Sequence, residues 1–99
     1  MRLTEQQIQT IRLSTAELAG AQARVRLFGS RLDNAARGGD VDLLVEVDEP
    51  VDNPALLAAR LAARISWAMA GRKVDVLICA PNLARLPIHE MALKEGRLL

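Results

Sequence analysis

Residues 27–47 read LFGSRLDNAARGGDVDLLVEV, and the fold and its chemistry are decided in that stretch. An apolar run ends abruptly at Gly29-Ser30, a polar segment follows, and Asp40 and Asp42 stand at the mouth of a second apolar run. Two residues apart on an extended backbone, these carboxylates leave the same face. Like charges so placed repel unless a cation or a proton sits between them. A glycine followed by a hydroxyl at a strand end leaves room for backbone N–H groups and Ser30 to approach a phosphate. Metal ligands beside a phosphate cradle describe a site for a metal-bound nucleotide.

Working outward, 24–28 alternates charged and apolar residues, as a strand buried on one face does. Ser30 can cap a short helix over 30–36, whose first N–H groups would face an anion. Gly38-Gly39 re-aims the chain into a strand over 41–47, apolar at both alternate sets in its middle and hence central in a sheet. Asn53 and Pro54 open a long helix in which Leu57, Leu61, Ile65 and Ala68 form the apolar stripe and Gly71 the stop. A strand over 73–79 follows. The helix between these two strands makes them parallel neighbours and sets Asp75 beside Asp42. For Ser30 to join them, the first strand must run antiparallel to the second.

Before this unit, Thr4 and Gln7 form a capping box for a helix over 5–19, with Ile8, Ile11, Leu18 and Ala19 near one stripe and Gly20 as its stop. After Pro81, a single turn over 82–86 is expected. Pro87 then opens a short helix through Lys94 that ends at Gly96. The expected fold class is α/β in the α+β sense: a small mixed sheet flanked by about four helices, with residues 1–99 as one domain.

Gly29-Ser30, nine residues, then Asp40-Val41-Asp42 resembles the signature of the polymerase-beta-like nucleotidyltransferase superfamily. The nearest likeness is to its minimal single-domain branch, the antitoxins of prokaryotic HEPN-partnered toxin–antitoxin modules. Leu27-Phe28-Gly29-Ser30-Arg31, Asp40 to Val45, Lys73-Val74-Asp75-Val76 and Lys94-Glu95-Gly96 carry it. The resemblance implies a nucleotidyltransferase fold with Asp40, Asp42 and Asp75 as catalytic metal ligands. Asp40 and Asp42 would bridge two magnesium ions, with manganese as the alternative, and Asp75 would bind one ion and help deprotonate the acceptor. Gly29, Ser30 and Arg31 would bind the nucleotide. It further implies transfer of AMP from ATP to a hydroxyl, a tyrosine, of a HEPN toxin, which silences the toxin. Two other readings stand beside this one: a non-catalytic antitoxin that inhibits by occlusion, and transfer to a small molecule. The latter is disfavoured because the larger relatives' substrate domain is missing, which also implies an acceptor carried on another protein and a hetero-oligomer with it.

Composition fits this picture. Thirteen Lys and Arg are scattered among twelve acids, which argues against a strongly basic nucleic-acid-binding face. Cys79 lies alone in an apolar run and reads as a buried thiol in a reducing compartment. With no signal core and no membrane-length apolar stretch, a cytoplasmic protein is expected. Lys73-Val74-Asp75 is also ordinary strand alternation, and Arg31 and Arg37 suit phosphate or solvent equally. His89, without a second histidine or cysteine nearby, is not expected to bind metal. Trp67 is expected in the core or on a partner surface.

Overall fold

A computed structural model describes residues 3–29 and 41–99. The Thr4 hydroxyl accepts the Gln7 backbone N–H at 3.1 Å, and the Gln7 side chain accepts the Thr4 N–H at 2.8 Å. This reciprocal cap starts helix α1, Glu5–Ala19, and Gly20 ends it. Strand β1 is Arg24–Phe28, β2 Val41–Glu46 and β3 Val74–Cys79. Between β2 and β3 runs α2, Pro54–Ala68, capped by Asn53, whose side chain accepts the Leu56 N–H. Helix α3, Pro87–Glu95, and a two-residue strand β4, Arg97–Leu98, follow.

The sheet order is β3-β2-β1-β4. Strand β2 is central, parallel to β3 and antiparallel to β1, as the sequence requires. Its Val41, Leu43, Leu44 and Val45 are fully buried. At about 1.5–3 kcal/mol for each such side chain, this strand is a major source of stability. Alternation splits the buried residues between two layers. Val25, Leu27, Val41, Leu43, Val45, Val74 and Ile78 face Ile11 of α1 and Leu61, Ile65 and Met69 of α2. Phe28, Leu44 and Cys79 face Ala92 of α3 on the other side.

Two details differ from expectation. The α2 stripe continues from Leu57, Leu61 and Ile65 to Met69, while Ala68 is exposed. The buried row keeps the four-residue step, and the helix closes before Gly71 through the Gly71 N–H, which donates to the Ser66 carbonyl. Strand β4 was not anticipated: it pairs antiparallel with Arg26 and Leu27 of β1, and the Leu99 N–H adds a bond to the Val25 carbonyl. The described residues hold three helices, and the short helix expected over 30–36 lies outside them.

The links are also tied down. Asn82 exchanges two hydrogen bonds of 2.9 Å with the backbone of Val51, joining the turn after β3 to the segment leading into α2. His89 acts as a bolt for α3 rather than as a metal ligand. Its Nδ1 accepts the Leu86 N–H at 3.1 Å, and its Nε2 lies 3.2 Å from the Ile78 carbonyl. The neutral tautomer protonated at Nε2 satisfies both partners.

Candidate functional site

The antiparallel and parallel registers place Phe28, Asp42 and Asp75 side by side across β1, β2 and β3. Residues directly opposite in register share a sheet face, so both carboxylates project from the α3-bearing face at one end of the sheet. Neighbouring strands lie about 4.8 Å apart, which puts the two acids within reach of one cation. Asp75 is half exposed, and Lys73, on the same face two residues earlier, has its Nζ 4.0 Å from the Asp75 carboxylate. Sequence reading placed Lys73 in the motif and in the strand alternation but gave it no part at the site.

Gly29 follows directly on β1 and turns the chain with φ +76°. A Cβ at this position would run into Asp42 Oδ2 and lie 3.2 Å from Asp42 Cγ. The residue is glycine for two reasons: the left-handed backbone, and the carboxylate pressed against its Cα. Gly29 and Asp42, thirteen positions apart in sequence, are therefore one local structure.

Of the residues expected at the site, Gly29, Asp42 and Asp75 are brought together at this end of the sheet. Ser30, Arg31 and Asp40 lie outside the described residues. Among the described residues no group of three His, Cys, Asp or Glu side chains is placed to hold a metal. The chemistry of the donors nevertheless suits magnesium: two oxygen-only carboxylates in register, a donor set that leaves coordination positions for water and phosphate oxygens.

The far end of the same sheet face is built differently. There Glu46 accepts from Arg24 Nε at 3.1 Å and Arg26 Nη1 at 2.8 Å, while Arg24 Nη2 reaches Asp48 at 2.9 Å. Burial pushes the Glu46 carboxyl up, but the hydrogen bonds and charges of the two arginines outweigh it and hold it below its ordinary value of 4.5. The hydrogen bond from Arg24 likewise lowers Asp48. This carboxylate cluster is neutralised by its own arginines, and so is structural. A cavity of about 350 Å³ lined by Thr15, Arg24, Val25 and Leu98 lies towards the start of β1, away from Gly29. It takes no part in the site.

No helix among the described residues is long and apolar enough to cross a membrane. No curated protein matches the chain. The family model described as nucleotidyltransferase domain matches residues 8–99, from within α1 through β4. That span contains Gly29, Asp42, Asp75 and every strand that positions them, and the mixed four-stranded sheet with three helices among the described residues agrees with the nucleotidyltransferase fold. The family's chemistry makes a nucleotide the substrate class. The chain belongs to the nucleotidyltransferase domain family.

Proposed function

We propose that the chain transfers AMP from ATP to a hydroxyl of a partner protein, a HEPN-domain toxin with a tyrosine as acceptor, and so acts as its antitoxin. The observation that carries the transfer reading is the packing of Gly29 against Asp42 with Asp75 in register beside it. A solvated strand end gives no reason for a glycine, a left-handed turn and two like charges to meet. Asp40, Asp42 and Asp75 would hold magnesium, or manganese in its place, and the bound cations supply charge stabilisation at the attacking and leaving oxygens. Gly29, Ser30 and Arg31 would seat the triphosphate.

In the reaction, the acceptor oxygen forms a bond to the alpha-phosphorus while the bond from that phosphorus to the bridging oxygen of pyrophosphate breaks. Asp75 takes the hydroxyl proton and pyrophosphate leaves with the bonding electron pair.

The test is to incubate the chain with a HEPN-domain partner, ATP and magnesium and to weigh the partner by intact mass spectrometry. One or more AMP increments, absent with the Asp40→Asn, Asp42→Asn double variant, are expected. Inhibition of the partner by both versions with no mass gain would replace transfer with occlusion.

A further inference from the structure

Helix α2 carries two arginines, Arg60 and Arg64, and no acid. Its outward side also bears Trp67, the only tryptophan of the chain, which is 87% exposed. Leaving so large an aromatic in water forfeits the stabilisation that burying it would bring. With Leu18 of α1 and Ala63, these three side chains border a shallow depression of about 500 Å³. Arg64 leans on Glu17 of α1, whereas Arg60 has no ion pair among the described residues. Tryptophan and arginine are the side chains that most often dominate protein interfaces.

The position of this patch follows from topology. Helix α2 leads from the end of β2 to the start of β3, so its last turn, with Trp67, lies at the end of the sheet where Asp42 and Asp75 stand. A body seated on Trp67 therefore stands at the same end of the sheet as the carboxylates but on the opposite layer from the α3-bearing face that carries them. Charge selects its nature. An isologous pair of this chain would bring two such faces together, each net positive with Arg60 and Arg64 against one Glu17, which like charge disfavours. A partner with carboxylates flanking an apolar stripe complements both the arginines and the tryptophan.

We propose that this α2 face is the docking surface for an acidic, helical flank of the acceptor protein. The proposal rests on the transfer reading above for the identity of the docked protein as the acceptor. Docking itself needs only the Arg60–Arg64–Trp67 face.

Trp67 reports directly on the test, because its emission is the chain's sole tryptophan signal. The full chain is titrated with a synthetic amphipathic helical peptide whose leucine stripe is flanked by glutamates, and separately with the same peptide carrying lysines. The glutamate peptide should move Trp67 emission to shorter wavelength, saturate, and bind about tenfold or more tightly than the lysine peptide. The Arg60→Glu, Arg64→Glu variant, checked for retained helix content by circular dichroism, should reverse that order. No shift with either peptide, or equal binding of both, overturns the proposal. So does a shift on raising the chain concentration alone, which would indicate self-association, or tighter binding of a single-stranded RNA oligonucleotide. Repeating the titration with Asp42→Asn separates the two readings. Docking that survives there while transfer is never detected leaves the surface standing without the enzyme, and transfer without peptide discrimination leaves the enzyme standing without this surface.

Discussion

Replacing Gly29 by alanine should uncouple folding from nucleotide binding, and Gly71 provides the matched control. Both glycines are left-handed, with φ +76° and +81°, so alanine strains the backbone similarly at each. Around Gly71 a Cβ meets nothing within 4 Å, whereas at Gly29 it meets the Asp42 carboxylate. The strain should cost about 1–2 kcal/mol at both sites, or roughly 5–15 °C in melting temperature for a domain of this size. The additional clash at Gly29 falls on the far end of a flexible side chain. Asp42 should swing away to relieve it, and the carboxylate then leaves its place beside Asp75. Wild type and Gly71→Ala should each gain about 2.7 kcal/mol from magnesium-ATP at a hundredfold excess over Kd, and Gly29→Ala should gain less than about a third of that. Urea unfolding with and without ligand measures both quantities. A Gly29→Ala protein that responds to magnesium-ATP as fully as Gly71→Ala would refute the coupling of Gly29 to a metal-binding Asp42.

Other expectations follow from single contacts. Asp75→Asn should remove most of the magnesium-ATP stabilisation while leaving unliganded stability within about 0.5 kcal/mol, because its ion pair among the described residues is with an exposed lysine at 4.0 Å; differential scanning fluorimetry reads both. His89→Ala leaves the Leu86 N–H and the Ile78 carbonyl without partners and should cost about 2–4 kcal/mol in chemical denaturation. Thr4→Ala opens the α1 capping box and should cost about 1 kcal/mol in the same assay. The folded Glu46 carboxyl lies below its ordinary 4.5, so its contribution is present above that value and is lost as pH falls through the lowered folded value. Denaturation between neutral and acid pH should show a shallower acid loss for Glu46→Gln than for wild type.

Much of this architecture was legible because local and global signals agree. The Thr4–Gln7 box, the Asn53-Pro54 start and the apolar centre of β2 each specify their element without tertiary help. The partnership of Asp42 and Asp75 was legible too, since a helical crossover fixes parallel neighbours and hence register. What escaped depends on contacts remote in sequence. Two-residue β4 has no periodicity to read, and exists because α3 returns the chain to β1. The role of His89 is set by a carbonyl eleven residues earlier, and no spacing announces that. Gly29 was read for its small size alone, and its collision partner became visible only when β1 and β2 were paired. The choice of Ala68 over Met69 erred by following a three-residue step where the helix keeps four.

The central claim is that this end of the sheet moves a nucleotidyl group, and the fate of each phosphate of ATP tests it most directly. The chain, a HEPN-domain acceptor and magnesium are incubated with ATP radiolabelled at either the alpha or the gamma phosphorus, and protein-bound label is counted after separation. The account predicts alpha label on the acceptor, gamma label only in released pyrophosphate, and loss of both signals with Asp42→Asn. Gamma label on the acceptor, or alpha label undiminished by Asp42→Asn, would contradict it.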